Sequence, residues 1–425
     1  MKFAKILICS FILLIVSTFA KAQKQRVVSG IVKDASTKTP LPFISISLKK
    51  NFLGTTTNEN GEFDFYIPDS ITVDTLVINS LGYTPVYYSL DKIDKILTIE
   101  LQSNSFELKE VTIRPLSAAD YIRLAMRLVK KNYPDKPFVS DGYFRRKVLE
   151  NKQIINFDEA IVKTYYPNYQ DTVKNQHQLL LYRKAEEKEI AFMKEKRESK
   201  ERKKEAKREK DKASGKTVAE DAKEKKTVAD MFGGPDKILA LDVLKEEPDF
   251  LDTTKLKDFE YSFGAATTYQ GNEVIVINFK SDGTVDHAKT DGKIFIDLNS
   301  YAIVNVDFNA EFVIPLIYRP VIFLAGYSIT NPIFNQKVSY QEVNNKWYPQ
   351  SFQFNVQVKL EREYWFKKND VSDIYVEGLL AINKMETENL KQIPKEFRYD
   401  PKKKMEEQVH NTEGISWGEL NIIKR

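Results

Sequence analysis

Short runs of alternating apolar and polar residues, separated by turn residues, constrain the fold of this chain most strongly. The run FISISL at 43–48 alternates with a period of two, as a half-buried β-strand does. Asn60-Gly61, followed by the alternating run FDFYI at 63–67, predicts a β-hairpin with a type I′ turn and a positive φ at Gly61. Several such strands between residues 27 and 101 predict a small β-sandwich.

Three spaced motifs in this region resemble the carboxypeptidase regulatory-like domain. They are SGIVKDASTKTPLPFISI at 29–46, GTTTNENGEFDF at 54–65 and LVINSLGY at 76–83. The resemblance implies a transthyretin-like, seven-stranded type of β-sandwich over 23–102. It also implies export in a diderm bacterium, because this domain is common at the start of exported proteins, including TonB-dependent outer-membrane receptors. The run ELKEVTI at 107–113 looks like the connecting strand of such receptors, which gives a linker strand at 103–116.

The residues of these motifs have structural roles and predict no chemistry. Glycine relieves steric conflict in turns and at close contacts, proline fixes a loop, and the aromatic residues are expected to fill the sandwich core. The Asn/Glu cluster at 58–62 lacks the spacing of a calcium loop. The structural motif residues are Gly30, Pro40, Asn60, Gly61, Phe63, Gly82 and Tyr83.

The first 22 residues predict a secretory signal peptide. Lys2 and Lys5 precede an apolar run at 6–19, and Ala-Lys-Ala at 20–22 provides a cleavage pattern. The run is shorter than the ~20 residues of a membrane span, so a retained anchor is the weaker alternative. The only cysteine, Cys9, lies inside the signal, without the context that lipidation requires. We therefore expect a cysteine-free mature protein in the periplasm or associated with the outer membrane.

The positive charge of the chain belongs to one segment. The formal net charge is +5, which falls to +2 without the three lysines of the signal. Residues 183–226 contain 18 basic and 12 acidic residues. A charged insertion at 184–230 is therefore predicted, helical at first and disordered after Ser214-Gly215. An RNA- or membrane-binding arm is the alternative, but the interspersed acids favour a solvated segment, and we expect no nucleic-acid partner.

A second domain is predicted over 117–395, mainly β or α+β in class. The run SAADYIRLAMRLVKKN at 117–132 predicts a helix with Ser117 as its N-cap. The run GKIFIDLNSYAIVNVDF at 292–308 predicts an antiparallel hairpin. KNYPDKPFVSDGYFRR at 131–146 and FDEAIV at 157–162 resemble a family of exported proteins that carry this domain behind the regulatory-like module. The strand pattern resembles the curved antiparallel half-barrel of periplasmic lipoprotein carriers, and a polar tail is expected at 396–425.

Motifs for catalysis or metal binding are weak. His410 and Glu413 have the H-x-x-E spacing of two zinc ligands, but no residue pattern supplies a third. No G-x-S-x-G elbow occurs, and Gly233-Gly234-Pro235 predicts a bend instead of a phosphate loop. Asp158 and Glu159 are adjacent on a predicted strand and should face opposite sides of it. We therefore predict no catalytic, cofactor-binding or metal-binding residues, no cofactor and no enzymatic activity.

The most apolar stretch of the predicted mature chain is FVIPLIYRPVIFLAGY at 312–327. Its two prolines and its arginine disfavour a bilayer span. It is either a buried connection in the half-barrel or an apolar lip that meets a lipid-like ligand or the outer membrane. The candidate surface comprises Phe312, Ile314, Ile317, Tyr318, Phe323 and Tyr327.

Three functions remain open from the sequence. The first is a non-catalytic, exported cell-envelope protein that docks to an envelope protein or binds an apolar ligand. The second is a periplasmic carrier of a lipid or lipoprotein, which needs a large apolar cavity. The third is a periplasmic hydrolase, which needs clustered titratable groups in a cleft.

Overall fold

Strands form most of the ordered structure, as the alternating patterns predict. The structure is a computed structural model that describes residues 25–104, 116–169, 173–188, 191–213, 234–281, 288–313, 327–362, 364, 368–410 and 415–424. The chain divides into two units. The described part of the first unit comprises residues 25–78, Val86–Leu101 and 416–424, and the second comprises Asn79–Pro85 and the described residues of Gln102–Ile415.

The strands β1 to β7 form two sheets, which confirms the predicted seven-stranded β-sandwich. Their order is β4-β1-β7 in one sheet and β3-β2-β5-β6 in the other. Strand β1 pairs antiparallel with β4 and parallel with β7. The strands are β1 (Gln25–Asp34), β2 (Ser45–Leu48), β3 (Gly54–Thr56), β4 (Glu62–Pro68), β5 (Thr75–Asn79), β6 (Val86–Ser89) and β7 (Ile96–Leu101).

The core of the first unit follows from the period-two pattern. Phe63, Phe65 and Ile67 alternate along β4 and are fully buried, as the pattern predicts. Gly30 lies against Phe63, because a Cβ at Gly30 would stand 2.7 Å from the Phe63 ring. Tyr83 differs from the prediction: it is only half-buried and forms an isolated bridge with Ser103 in the second unit, so it does not fill the sandwich core.

The predicted hairpin around Asn60-Gly61 is wrong. Strand β3 pairs with β2 and strand β4 pairs with β1, so the chain passes from one sheet to the other at this turn. Gly61 has the expected positive φ of 73°, but Asn60 does not share it, and a type I′ turn requires both. The side chain of Asn58 holds the turn, because its Oδ1 accepts from the backbone N–H groups of Asn60 (3.0 Å) and Glu62 (2.8 Å).

Pro40 and Gly82 occupy the loop positions that the motifs predict. Pro40 forms an isolated bridge with Lys33 at the end of the first strand. Gly82 has a φ of 82°, a conformation that side chains with a Cβ rarely adopt.

The second unit contains five described helices and the strands β8 to β19. The helices are α1 (Ala118–Arg127), α2 (Val129–Asn132), α3 (Ala191–Ala213), α4 (Pro235–Leu239) and α5 (Val243–Glu246). The strands are β8 (Phe138–Glu150), β9 (Gln153–Tyr166), β10 (Gln176–Glu187), β11 (Glu260–Phe263), β12 (Thr267–Tyr269), β13 (Asn272–Lys280), β14 (Ala288–Asp297), β15 (Ile303–Phe312), β16 (Tyr327–Ile329), β17 (Ile333–Val343), β18 (Lys346–Arg362) and β19 (Asp370–Glu386).

These twelve strands form one antiparallel sheet, which is curved and open. Its main order is β10-β9-β8-β19-β18-β17-β15-β14-β13-β11, with β12 beside β13 and β16 beside β18. Each pairing in this order is antiparallel, and the predicted hairpin at 292–308 corresponds to β14 and β15. The predicted mainly β fold, with a sandwich followed by a helix and a curved sheet, is thus confirmed.

Helix α1 forms where the sequence predicts it. The Ser117 Oγ accepts from the Asp120 backbone N–H, and the Asp120 carboxylate accepts from the Ser117 N–H, so the two residues form a capping box. The apolar stripe of the helix is buried in the second unit and includes Tyr121, Ile122 and Ala125.

The charged segment begins later than predicted. Strand β10 continues to Glu187 because Lys184 and Glu187 still pair with β9, whereas the predicted insertion began at 184. The predicted helix of this segment is present as α3, and the stretch after Ala213 that was predicted as disordered lies outside the described residues up to 233. Most of the linker strand predicted at 103–116 and the signal peptide also lie outside them. Among the described residues, no helix combines the length and apolarity needed to cross a membrane.

The C-terminal region is more structured than the predicted polar tail at 396–425. Met405 is buried in the second unit, and Ile423 is buried in the first unit. Ile393, just before this region, packs against Val139 and Tyr165. Isolated apolar residues thus anchor a segment whose average composition is polar.

Candidate functional site

Aromatic residues and glycines form a row across one face of the large sheet. The pairing registers place directly opposite one another, in this order, Phe279, Gly292, Phe308, Gln336, Phe354 and Gly378. Residues paired in this way point to the same side of a sheet, so their side chains share one face. We call this set, together with Phe334, the aromatic row.

Two glycines of the row are approached closely by the phenylalanines opposite them. A Cβ at Gly378 would stand 2.2 Å from Cε1 of Phe354, and one at Gly292 would stand 2.5 Å from Cβ of Phe308. Both glycines have ordinary strand backbone, so a close approach, and not the conformation, requires them. The Phe354 ring makes this approach at Gly378, and the Asp307 carbonyl oxygen with Cβ of Phe308 makes it at Gly292. Phe334 connects the row, with ring centroids 6.3 Å from Phe308 and 6.1 Å from Phe354.

The segment 234–259 covers part of this face. The Phe250 ring stacks on Phe279 with a centroid distance of 4.3 Å and contacts Phe308 at 4.9 Å. The Gln336 Nε2 donates to the Leu241 carbonyl at 2.6 Å, which fixes the segment to the middle of the row. Ile238, in helix α4, is buried and approaches Gly378. The chain itself therefore fills this part of the aromatic face.

Asp242 anchors the covering segment through a fully buried carboxyl group. Its Oδ1 accepts from the Tyr340 hydroxyl and its Oδ2 from the Tyr169 hydroxyl, each at 2.6 Å. Oδ1 also accepts from the Leu244 backbone N–H at 3.2 Å and so caps helix α5. Burial raises the pKa of Asp242, and the two tyrosine hydroxyls oppose this shift by stabilising the carboxylate. The Asp242 carboxyl group thus connects helix α5 to strand β17 of the large sheet.

Phe312 extends the aromatic face to an exposed end. Its ring lies 6.4 Å from that of Phe334, and its side chain is 45% exposed at the end of β15. Ile333, at the start of the adjacent strand β17, is 43% exposed, but it lies on the opposite face because its neighbour Phe334 belongs to the row. The apolar face thus runs from buried rings to one that meets solvent.

Two of the six residues of the predicted apolar surface, Phe312 and Tyr327, are among the described residues. Phe312 lies on the aromatic face, and Tyr327 begins β16, where its backbone pairs with Arg362. Ile314, Ile317, Tyr318 and Phe323 lie outside the described residues.

The same register continues beyond Gly378 into a buried ion pair. Gly378 lies opposite Arg146, which lies opposite Asp158. Arg146 Nη2 and Asp158 Oδ2 are 2.5 Å apart, and both side chains are almost fully buried. Tyr182 donates its hydroxyl to the same Asp158 oxygen at 3.4 Å. Arg146 and Tyr182 thus engage the carboxylate of Asp158, and this gives Asp158 a structural role.

Glu159 lies on the opposite side of β9, as the adjacent positions predict. The Tyr143 hydroxyl donates to its Oε1, and the Arg183 Nε donates to its Oε2 at 2.6 Å. Burial, followed by the nearby Glu159 charge, raises the pKa of Tyr143. Asp158 and Glu159 therefore do not share a cleft and cannot act as an acid–base pair on one substrate.

The two described histidines, His177 and His410, have different side-chain neighbours. His177 is half-buried, with Nδ1 3.2 Å from the Thr164 hydroxyl, and burial lowers its pKa to about 4. The His410 ring lies 5.8 Å from that of Phe397, whereas His287 and Glu413 lie outside the described residues. Within the part of the chain that the structure describes, no group of three or more His, Cys, Asp or Glu side chains could hold a metal ion.

The opposite face of the sheet carries a polar groove of about 600 Å³. Lys293 and Asp307 lie opposite each other in its floor, and Asp291 accepts a 3.4 Å hydrogen bond from Asn309. The groove is open and of mixed charge, in contrast to the aromatic face. The lining residues are Glu260, Tyr261, Ser262, Asn278, Phe279, Lys280, Asp291, Gly292, Lys293, Asp307 and Asn309.

Sequence reasoning identified Phe312 but missed the aromatic row. Members of the row that pair directly lie between 13 and 28 positions apart in the chain, and only the strand register brings them together. The single glycines inside alternating strands, Gly292 and Gly378, are the one local signal of close packing that could have indicated it.

Comparisons with known proteins identify the first unit only. The family model of the CarboxypepD_reg-like domain matches residues 28–113, which confirms the resemblance of this region. No curated protein matches the chain. A DUF1329 family protein from Desulfovibrio piger is similar at 7% identity and a TM-score of 0.24, over 64% of this chain and 93% of its own. A protein of unknown function from Bacteroides fragilis, provisionally described as membrane-associated, is similar at 11% identity and a TM-score of 0.15, over 84% of this chain and 98% of its own.

Proposed function

We propose that this chain is a non-catalytic, exported protein of the bacterial cell envelope that binds an apolar chain in its second unit. The observation that carries the proposal is the continuity of the aromatic face, from the buried Phe308 and half-buried Phe334 to the exposed Phe312. An aromatic side chain that is 45% exposed at the end of a buried apolar row offers contact area to a ligand without opening the core.

An acyl chain is the ligand class that suits this surface. Binding would remove apolar area from water at roughly 25 cal/mol per Å², or about 0.8 kcal/mol per buried methylene. Several methylenes lying along Phe312 and Phe334 would therefore give useful affinity with no polar group on the ligand. A lipid of the envelope would supply such a chain, and the resemblance of the first unit to modules of exported proteins supports that location.

The absence of catalysis belongs to the proposal and is supported by the roles of the buried acids. Asp242 anchors the covering segment, and Asp158 and Glu159 hold strands through their arginine and tyrosine partners. Ionisable groups already engaged in this way are poor candidates for proton transfer to a substrate.

A fluorescent apolar probe tests the proposal. Purified mature protein, Phe312→Ser and the matched control Ile333→Ser are titrated with N-phenyl-1-naphthylamine, whose emission rises in apolar surroundings. The two positions are equally exposed and lie on neighbouring strands, but only Phe312 belongs to the aromatic face. We expect Phe312→Ser to weaken binding at least fivefold and Ile333→Ser to leave it within twofold. Equal binding by all three proteins would contradict the proposal.

A further inference from the structure

Strand β4 lies at the edge of the three-stranded sheet of the first unit. In the order β4-β1-β7, its inner side pairs with β1, and no strand of the described part of the chain neighbours its outer side. The outward N–H and C=O groups of an edge strand form a ready template for another extended segment. The outward N–H and C=O groups of β4 therefore need hydrogen-bond partners from outside the sheet.

Asn421, in the C-terminal segment, satisfies the central outward pair. Its side-chain Oδ1 accepts from the Tyr66 backbone N–H at 2.7 Å, and its Nδ2 donates to the Tyr66 carbonyl at 3.0 Å. The amide thus makes the two hydrogen bonds that a paired strand residue would make. Asn421 is buried, so these bonds form away from water and depend on the amide's correct orientation.

Contacts of the three residues after Asn421 give the segment a defined register. Ile423 is only 2% exposed, so its side chain is almost completely shielded from water. The Thr55 hydroxyl donates to the Ile422 carbonyl at 3.5 Å. The Lys424 ammonium lies 3.4 Å from a carboxylate oxygen of Asp64, two positions before Tyr66 on β4.

We propose that the β4 edge of the first unit is a peptide-recognition site and that the chain's own C-terminal segment, 416–425, is its ligand. The site recognises an asparagine through its two hydrogen bonds to Tyr66. It also recognises an apolar residue two positions later, which becomes buried, and a lysine after that, which lies near Asp64. While the segment is bound, the edge is closed to other extended peptides. This inference concerns the first unit and is independent of apolar-ligand binding in the second.

Covalent attachment lets a modest intrinsic affinity keep the site occupied. A flexible linker that reaches the site gives the attached segment an effective concentration of up to roughly millimolar. A peptide that binds with a micromolar dissociation constant in solution would therefore fill the site almost completely when attached. The same peptide added to the intact chain has to compete with the attached copy.

Fluorescence anisotropy with a labelled synthetic peptide, SWGELNIIKR, tests the proposal. We expect it to bind the mature chain shortened to end at residue 415, and to bind the full-length mature chain at least tenfold more weakly. Peptides with Asn421→Ala or Ile423→Ser should lose at least tenfold in affinity. The control Ile422→Ser, which changes a neighbouring isoleucine that is less buried, should stay within threefold.

Failure to bind by a shortened chain that retains its circular-dichroism spectrum and thermal transition would overturn the proposal. If the shortened chain does not fold, hydrogen exchange on the full-length protein replaces it. In Asn421→Ala, the Tyr66 amide should exchange at least tenfold faster, while the amide of Val32, which donates to the Gly61 carbonyl at 2.8 Å within the unit, is unchanged. An unchanged Tyr66 amide would equally overturn it.

Discussion

Two strand glycines of the second unit, Gly292 and Gly378, allow neighbouring strands and side chains to come closer than a Cβ would permit. Gly378 leaves the space in which the Phe354 ring lies, and Gly292 lets the backbone and Cβ of Phe308 come close. Glycine normally weakens a strand through its conformational entropy. At Gly378 the aromatic ring covers the exposed backbone, so Gly378 and Phe354 act as a pair.

Gly378→Ala should destabilise the protein. The added methyl group would stand 2.2 Å from Phe354 Cε1 and 2.9 Å from Ile238 Cδ1, so the ring and the covering segment must both move. We expect the free energy of unfolding to fall by about 1–3 kcal/mol, as for other overpacked cores. Urea denaturation measures the change, and Gly418→Ala, where a Cβ would meet no atom closer than 4.0 Å, is the control. Equal stability of the two variants would contradict the packing described here.

Asp242 makes stability depend on pH in a direction opposite to that of a carboxylate whose pKa is lowered in the folded chain. Burial raises its pKa in the folded chain above the ordinary value of 3.8. The folded chain therefore keeps a proton that the unfolded chain releases at the same pH. Stability from this group is fully present below the ordinary pKa and declines as pH rises through the raised pKa.

Asp242→Asn should remove this pH dependence. The amide cannot ionise, so the difference in the free energy of unfolding between the variant and the wild type should shift in favour of the variant as pH rises from below 3.8 towards neutrality. Chemical denaturation at a series of pH values measures it. Asp258→Asn, at an exposed position of the same segment, is the control. A difference that stays constant across the series would show that Asp242 has the same pKa in the folded and unfolded chains.

Individual elements were predictable from sequence where short-range interactions determine them. Helix α1 was predicted with its cap because Ser117 and Asp120 are only three residues apart. The strands were predicted because alternation is a local pattern. Strand partners were not, since Asn60-Gly61 is compatible both with a hairpin and with a crossing between sheets. The hydrogen bonds of Asn58, and the pairing of β4 with β1, determine which of the two forms.

The turn between β3 and β4 can be tested by comparing two asparagines. Asn58→Ala removes the acceptor of two backbone N–H groups, so we expect it to lower the free energy of unfolding by about 1–3 kcal/mol. Asn60→Ala should change it by less than about 0.5 kcal/mol, because that side chain is exposed. Thermal and urea unfolding of both variants provide the measurement. A larger cost at Asn60 would instead favour the hairpin that the sequence pattern suggests.

For the molecule as a whole, the fold class was predicted from the sequence, whereas the apolar binding surface that includes Phe312 stays a prediction. The sandwich and the large open sheet follow from many local patterns that agree. The aromatic row does not, because it depends on the order β19-β18-β17-β15-β14-β13, which brings distant residues into register. Phe312 was found from apolarity alone, and its place next to Phe334 became visible only with that register.

Binding of an acyl chain by the second unit is the central claim, and mass spectrometry of the protein purified from its native envelope tests it most directly. The mature chain, Phe312→Ser and Ile333→Ser are isolated in mild detergent, extracted with organic solvent and analysed for bound lipid. We predict about one acyl-chain lipid per molecule in the wild type and in Ile333→Ser, and a clear loss in Phe312→Ser. Absence of lipid from all three, or equal retention by all three, would contradict the claim.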